Sequence, residues 1–324
     1  MAVSIIITVM MAFLVALLTC PFFIKVMKRL QFGQQIRDDG PSHHSLKAGT
    51  PTMGGLVILF STFPVALIMA GSSTLLGLIF MVAVGCGIIG FFDDYLKVSR
   101  SRSLGLKARS KLAGEILLSL LLILLLRFFG FYSPLVVLPV LNLTINLGPL
   151  YPVLVFLLIT GFSNSVNLTD GIDGLAAGVS VISLSAYIII ASLAGFPGTA
   201  FFSAALAGAC LGFLVFNRHP ARIFMGDVGS LALGGSFAAI AILTKTELIL
   251  LIVGAVFVLE AFSVIFQVIG FRLTGRRLFL MSPLHHHFEL KGWSEWRVVT
   301  NFWAAALVFA VAGTLAYSRL VWRL

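Results

Sequence analysis

Thr199–Thr244 reads TAFFSAALAGACLGFLVFNRHPARIFMGDVGSLALGGSFAAIAILT, two long apolar runs joined by the polar segment Asn217–Ser230. A helix needs about 20 apolar residues to cross a bilayer, and each run is close to that length. The joining segment places Arg218, His219, Arg222 and Asp227 around a Gly-Asp-Val-Gly turn. A carboxylate beside basic residues on such a turn suits a metal-bridged phosphate. The alternative is an ordinary polar turn between two membrane helices.

The composition of the whole chain supports a membrane protein. Of its 324 residues, 59% are hydrophobic and only 10% are charged, and the mean hydropathy is +1.08. No water-soluble domain needs this much apolar surface. The net charge of +10 is explained by the cytoplasmic excess of Lys and Arg in membrane proteins, so we expect no nucleic-acid partner. Steering of an anionic substrate is a possible second use of that charge.

Apolar runs recur along the chain and predict about ten transmembrane helices. These are Ser4–Val26, Met53–Gly71, Leu75–Phe92, Leu112–Phe129, Leu150–Val166, Gly174–Gly195, Thr199–Phe216, Val228–Thr244, Glu247–Phe271 and Val298–Ser318. The apolar stretch 131–148 is broken by Pro134 and Pro139 and alternates like a strand, which predicts a small external hairpin. The predicted fold is one all-α polytopic membrane domain covering residues 1–324.

The distribution of charge predicts the orientation of this domain. All but four of the 22 Lys and Arg residues fall in the loops after odd-numbered predicted helices, so these five loops are predicted to be cytoplasmic and both termini periplasmic or extracellular. Every Asp falls on the same side. Burying an Asp at a helix centre costs about 3 kcal/mol, so these residues belong at the water boundary or in a wet cleft. Their clustering on one face indicates a single site formed by the cytoplasmic loops.

Acidic and amide residues in two of these loops are candidates for chemistry. Asp93 and Asp94 are predicted to end the third helix, where adjacent carboxylates hold a hard cation or act as a base; a solvated helix end is the alternative. Asn167, Asp170 and Asp173 recur every third residue and share one face if their turn is helical. Capping of the next helix by Asp173 is the structural alternative. Oxygen ligands without a nearby Cys favour magnesium or manganese over zinc.

The last cytoplasmic loop and the helix before it hold further candidates. Three consecutive histidines, His285 to His287, precede Glu289, and because consecutive side chains diverge, a tight three-histidine metal site is not expected. Imidazoles can instead contact phosphate or sugar oxygens. Glu260 and Gln267 lie seven residues apart on one helix face. An acid within a membrane span is a functional candidate, and bonding of Glu260 to a neighbouring helix is the alternative.

Five ordered motifs carry a family resemblance: Gly49-Thr-Pro-Thr-Met-Gly-Gly55, Phe92-Asp-Asp-Tyr95, Asn167-Leu-Thr-Asp-Gly-Ile-Asp-Gly-Leu175, Phe224-Met-Gly-Asp-Val-Gly-Ser230 and His285-His-His-Phe-Glu289. With them the chain resembles the polyprenyl-phosphate N-acetylhexosamine-1-phosphate transferases, in particular the phospho-N-acetylmuramoyl-pentapeptide transferases. The resemblance spans nearly the whole chain. It implies ten membrane helices, a cytoplasmic Mg²⁺-dependent site, a homodimer, and location in the bacterial cytoplasmic membrane.

The resemblance also implies a reaction and its residues. Phospho-N-acetylmuramoyl-pentapeptide would move from its UDP carrier to undecaprenyl phosphate, giving lipid I and UMP. Asp227 would bind the metal, and the catalytic residues would be Asp93, Asp94, Asp227, His286 and His287. The substrate-binding residues would be Lys47, Thr52, Lys111, Asn167, Asp170, Asp173, Asn217, Phe224 and Gln267, with Phe224 stacking on uracil. Direct attack by the lipid phosphate and a two-step route through a covalent Asp both remain compatible with these residues.

Two other functions are weighed against this one. The sister branch transfers N-acetylglucosamine-1-phosphate, but the Gly-Thr-Pro-Thr-Met-Gly-Gly and His-His-His-Phe-Glu motifs resemble the muramoyl-pentapeptide branch. Transporters place their polar site near the bilayer midplane on broken helices. Here the ionisable residues crowd one boundary, and Glu260 is the main exception.

Overall fold

The fold is taken from a computed structural model that describes residues 1–33, 49–100, 104–139, 141 and 143–321. The described residues form an all-α bundle with one small hairpin, which confirms the predicted fold class. The helices are α1 (Ala2–Arg29), α2 (Gly55–Ala70), α3 (Thr74–Ser99), α4 (Ala108–Phe128), α5 (Tyr151–Thr169), α6 (Leu175–Leu193), α7 (Pro197–Asn217), α8 (Gly226–Thr244), α9 (Glu247–Val253), α10 (Ala255–Thr274), α11 (Leu284–Leu290) and α12 (Glu295–Val321).

Eight helices in the described ranges are long and apolar enough to cross a membrane: α1, α3, α5, α6, α7, α8, α10 and α12. α2 is apolar but has only 16 residues. α4 has 21 residues and includes four charged side chains, among them Lys111 and Glu115. The chain is therefore a multi-pass membrane protein, while the count of ten spans and the orientation of the termini remain predictions.

Two predicted helix boundaries are wrong. The predicted ninth span, Glu247–Phe271, is divided at Gly254 into α9 and α10. Gly254 has φ −94° and ψ 20°, and a Cβ there would lie 2.6 Å from Cε1 of Phe162. Close packing against α5 therefore requires a glycine at the break. The third span was predicted to end at Phe92, but α3 continues to Ser99, so Asp93 and Asp94 lie inside a helix.

α8 forms the centre of the bundle, and every residue from Asp227 to Thr244 is buried. α3 and α5 pack along it, while α7 packs against α1, α2 and α6. Small residues make the closest approaches possible: a Cβ at Gly55 would overlap the backbone of Gly229, and one at Gly90 would overlap the backbone carbonyl of Asp227. Close backbone contact through small residues is typical of membrane helix packing. It brings the start of α8 against α2 and α3.

The predicted hairpin is confirmed. β1 (Leu135–Leu138) pairs antiparallel with β2 (Leu143–Asn146), and one 3₁₀ turn (Gly148–Leu150) leads into α5. Lys245, at the end of α8, donates to the carbonyl oxygen of Ser133 at 2.9 Å. The hairpin therefore lies at the end of the bundle where α8 finishes and α9 starts.

The opposite end of the bundle gathers the polar connections. There α3, α5 and α7 finish, and α2, α4, α6 and α8 begin. Hydrogen bonds join these termini directly: Asn164 in α5 donates to Glu115 in α4 at 3.0 Å, and Asn217 in α7 accepts from the backbone of Gly174 at 3.1 Å. The predicted convergence of loops from distant parts of the sequence is present at this end.

Candidate active site

Three carboxylates meet where α3 finishes and α8 begins. Asp93 and Asp94 are only 1% and 3% exposed, and Asp227 in the first turn of α8 is 8% exposed. One oxygen from each lies within 4.8 Å of the other two. Burying like charges together is costly without compensation. The alternative of a solvated helix end is therefore wrong for Asp93 and Asp94.

Two lysines compensate the negative charge of this carboxylate cluster. The ammonium group of Lys97, one turn beyond Asp93 in α3, lies 2.6 Å from Asp93 and 2.9 Å from Asp227. Lys111, at the start of α4, lies 2.6 Å from Asp227 and 3.0 Å from Asp93. Both amines bridge the same two carboxylates, and their side chains are 28% and 19% exposed. Hydrogen bonds between charged groups are about twice as strong as neutral ones.

Backbone groups fix the positions of the carboxylates. Asp94 accepts from the N–H of Val228 in the first turn of α8 at 3.1 Å, and Asp93 accepts from the N–H of Leu106 at 2.7 Å. Gly226, which begins α8, has φ +73°, a left-handed conformation that glycine adopts most readily. A Cβ there would meet Oδ2 of Asp94, so the glycine also leaves the space that this carboxylate uses.

The segment before α2 is bound to the turn before α8. The N–H of Gly54 donates to the carbonyl oxygen of Phe224 at 2.9 Å, and the N–H of Phe224 donates to that of Pro51 at 2.8 Å. Thr52, within this segment, is 4% exposed. The two segments that hold the predicted substrate-binding residues Thr52 and Phe224 are thus hydrogen-bonded to each other beside the carboxylate cluster. Lys47, the other residue predicted here, lies outside the described residues.

Asp170 occupies the turn between α5 and α6. Burial raises the pKa of this carboxyl well above its ordinary value of 3.8, and the carboxylates of Asp227, Asp94 and Asp173 raise it further. Asp170 therefore lies within the electrostatic reach of the carboxylate cluster. Asn167, one turn earlier in α5, donates to Oγ of Ser230 in α8 at 2.8 Å. Both predicted residues thus lie at the junction of α5 and α8.

Asp173 does not cap α6, so that alternative is wrong. The N-cap is Gly174, and Oδ2 of Asp173 instead accepts from the N–H of Ala221 at 3.0 Å and lies 3.1 Å from Nδ1 of His219. The same ring nitrogen is 3.2 Å from Oε2 of Glu295 at the start of α12. α5 ends at Thr169, so Asn167, Asp170 and Asp173 do not continue along one helical face.

The histidine motif forms the short helix α11, and its three rings diverge as predicted. His285 is fully buried with Nδ1 3.2 Å from Glu260, His286 lies 2.7 Å from Glu289, and His287 accepts from the N–H of Leu280 at 3.1 Å. Each histidine has a different partner, which agrees with the expectation that they do not form a three-histidine site.

α10 holds α11 in place. Oε2 of Glu260 accepts from the N–H of Leu284 at 2.7 Å, where it satisfies a free amide in the first turn of α11. The predicted bonding of Glu260 to a neighbouring helix is confirmed. Gln267, farther along α10, accepts from the N–H groups of Leu278 and Phe279 and donates to the carbonyl oxygen of Phe279. Its amide therefore stabilises the approach to α11.

The sequence assigns no site role to Lys97, Glu115, Asn164 or Glu295, and it places His219 in the polar segment without a role. For Lys97, the position one turn after Asp93 was a usable signal. No local signal reveals that His219 joins two acids from distant parts of the chain.

The carboxylate cluster fits a hard divalent cation. Its donor atoms are carboxylate oxygens from α3 and α8, and one oxygen of each residue lies within 4.8 Å of the other two. Such donors suit Mg²⁺ or Mn²⁺ and not a thiolate-preferring metal. All three cysteines are buried in the bundle.

Comparison with known proteins agrees with this geometry. A profile of glycosyl transferase family 4 matches residues 75–245, and the phospho-N-acetylmuramoyl-pentapeptide-transferase signature 1 matches residues 47–59. The phospho-N-acetylmuramoyl-pentapeptide-transferase of Shouchella clausii is 52% identical over 94% of both chains. Those of Oceanobacillus iheyensis and Geobacillus kaustophilus are 52% and 49% identical, each over 96% of this chain and 97% of its own. The chain therefore belongs to the phospho-N-acetylmuramoyl-pentapeptide transferases of glycosyl transferase family 4.

Proposed function

We propose that this protein transfers phospho-N-acetylmuramoyl-pentapeptide from its UDP carrier to undecaprenyl phosphate, giving lipid I and UMP. The observation that carries the proposal is the buried cluster of Asp93, Asp94 and Asp227 in a chain about half identical, over nearly its whole length, to transferases of that name. Residues 1–324 would act as one polytopic domain in the bacterial cytoplasmic membrane, with the site facing the cytoplasm. That orientation follows from the Lys and Arg distribution.

The two substrates explain why the site lies at one end of the bundle. The nucleotide donor is water-soluble, whereas the acceptor phosphate is held at the membrane surface by its prenyl chain. A site at helix ends is accessible from both phases. Lys97 and Lys111, which already lie within 3.0 Å of the carboxylates, would bind phosphate oxygens of the substrates as these arrive.

Each side chain has a proposed part in the transfer. Asp227, supported by Asp93, would hold Mg²⁺, which when bound neutralises the donor diphosphate and stabilises charge on departing UMP. Asp94 would orient the acceptor phosphate and take its proton if it arrives protonated. An acceptor oxygen then bonds to the sugar-bearing phosphorus as the bond from that phosphorus to the UMP oxygen breaks. Phe224 would stack on the uracil ring, and the residues around α11 would face the sugar.

Purified protein in detergent micelles tests the function. UMP release is followed with undecaprenyl phosphate and either UDP-N-acetylmuramoyl-pentapeptide or UDP-N-acetylglucosamine. We expect release only from the first donor, its loss with a chelator, and its recovery with Mg²⁺. Preference for UDP-N-acetylglucosamine would assign the protein to the sister activity instead, and full activity in chelator would refute the metal-dependent site. Cross-linking in membranes tests the homodimer that we also propose.

A further inference from the structure

A buried carboxylate and a buried imidazole connect α10 to α11. Oε1 of Glu260 accepts from the backbone N–H of His285 at 3.3 Å and lies 3.2 Å from Nδ1 of the same residue. Oε2 accepts from the backbone N–H of Leu284 at 2.7 Å. Both side chains are fully buried, and a buried carboxylate is tolerated only where it is hydrogen-bonded. Glu260 therefore fixes the position of the His285 ring.

Glu260 also determines which nitrogen of His285 carries the proton. The carboxylate already accepts N–H bonds on both oxygens, and in its ionised form it has no proton to donate, so the proton belongs on Nδ1. In the neutral ring Nε2 then has a lone pair and no hydrogen. Among the residues that the structure describes, Nε2 has no hydrogen-bond partner. The opposite tautomer would set the Nδ1 lone pair against the carboxylate and leave a buried N–H unpaired, which is costly.

The Nε2 edge of this ring lies against the turn between α5 and α6. A Cβ at Gly171 would overlap Nε2 of His285 and would lie 2.8 Å from its Cε1. A lone pair can face a hydrogen on the glycine Cα, as in weak Cα–H hydrogen bonds. A hydrogen on Nε2 would instead occupy the space of that glycine hydrogen and displace the turn. Gly171 directly follows Asp170, whose carboxyl lies within the electrostatic reach of the carboxylate cluster.

We propose that Glu260 is a positioning residue of the transferase site, and that it acts through His285 on the turn between α5 and α6. The proposal rests on the proposed function, since it assigns that turn to donor binding. Glu260 keeps the proton of His285 on Nδ1, and the bare Nε2 allows Gly171 to pack closely. The contact holds the predicted substrate-binding residues Asp170 and Asp173 in register with α11.

The position of the proton on the His285 ring tests the proposal directly. Protein with isotope-labelled histidine is studied in detergent micelles by nitrogen NMR, which distinguishes a protonated from an unprotonated ring nitrogen. The chain has six histidines, and the resonances lost in His285→Gln identify those of His285. We expect a protonated Nδ1 and a bare Nε2 in the wild type, and the reverse in Glu260→Gln, whose amide can donate to Nδ1. A wild-type ring with a proton on Nε2, or an unchanged tautomer in folded Glu260→Gln, overturns the proposal.

Donor binding and the mobility of the turn provide the second readout. Glu260→Gln and Gly171→Ala should each raise the KM for the UDP donor about tenfold and change kcat less than about threefold, because both displace a turn that binds the donor. Amide hydrogen exchange of residues 169–174 should become faster in both variants. Gly161→Ala is the matched control, since a Cβ at this position of α5 meets nothing within 4 Å, and it should keep the wild-type values. Monodisperse elution of each variant verifies folding.

The outcomes separate this proposal from the proposed function. Normal UMP release by folded Glu260→Gln with an unchanged KM leaves the proposed function standing and overturns the positioning role. If neither donor releases UMP, the proposed function fails, and the tautomer and the exchange rates still decide the positioning contact. In that case wild-type exchange rates of residues 169–174 in folded Glu260→Gln overturn it, and faster exchange with a reversed tautomer supports it.

Discussion

Replacement of Asp227 by Asn tests the centre of the proposed site most directly. The change keeps the shape of the side chain and removes its charge. In the structure Asp227 accepts from Lys97 at 2.9 Å and from Lys111 at 2.6 Å. Neither lysine is left without an acid, because Asp93 lies 2.6 Å from Lys97 and 3.0 Å from Lys111.

The two consequences of this change differ greatly in size. A hydrogen bond to a charged group contributes about 1.5–3 kcal/mol, and the Asn oxygen can still accept one bond, so we expect unfolding free energy to fall by about 2 kcal/mol. Turnover should fall much further. Losing a group that stabilises transition-state charge typically costs a factor of about 10² to 10³, and loss of the metal ligand adds to it. We expect at least a thousandfold loss, about 4 kcal/mol of activation free energy.

The assay is UMP release per folded molecule, with folding followed by thermal unfolding in detergent. Glu247→Gln is the matched control. Glu247 is also buried and accepts from Lys245 at 2.8 Å and from Tyr151 at 2.7 Å, but it lies at the hairpin end of the bundle. The control should lose similar stability and keep its turnover. Retention of more than about a tenth of wild-type turnover by folded Asp227→Asn would refute the reasoning. A tenfold loss corresponds to only about 1.4 kcal/mol of activation free energy, against the expected value of about 4 kcal/mol.

Three further changes test neighbouring features. Gly226→Ala places a side chain on a residue in the left-handed conformation, at φ +73°, and brings its Cβ against Asp94. We therefore expect the unfolding free energy to fall by about 1–2 kcal/mol and turnover to drop. Unchanged stability together with unchanged turnover would contradict the tight turn. Phe224→Ala should raise the KM for the UDP donor about tenfold, as for a lost stacking partner, with little change in kcat, whereas Phe224→Tyr should keep the KM near wild type. Asp170 has a raised pKa, so the native state binds more protons than the unfolded state, and stability falls as pH rises from about 4 through the raised pKa. Asp170→Asn should therefore show a flatter dependence of melting temperature on pH, and equal slopes would contradict this.

Much of the fold could be predicted from the sequence because the bilayer imposes simple rules. Length and apolarity identify the helices, and the alternation of helices across a membrane brings every second connection to one end. That argument alone grouped Asp94, Asp170 and Asp227, and the structure brings them to the same end of the bundle. The hairpin could be predicted because residues 131–148 contain two prolines and alternate like a strand, a pattern that does not suit a helix.

The pairing of polar groups could not be predicted in the same way. Lys97 meets Asp227 across 130 positions of the chain, a contact that depends on the packing of α3 against α8. Asp173 looked like a cap because it precedes Gly174, but His219 and Ala221 from another loop bind it instead. Local sequence shows which groups need partners, whereas tertiary packing determines which partners they find.

The start of α8 explains why the cluster is suited to a divalent cation. A helix N-terminus stabilises negative charge through its free N–H groups, and here Val228 donates to Asp94 while Asp227 lies in the same turn. These carboxylates repel phosphate, and the two lysines that lie among them are already paired with Asp93 and Asp227. A diphosphate alone would therefore have to compete with these carboxylates for the lysines, whereas a divalent cation that arrived with it would compensate the carboxylates and free the lysines for phosphate. Carboxylates that held such a cation would also make donor binding depend on it, which is a physical reason to expect metal dependence from this site.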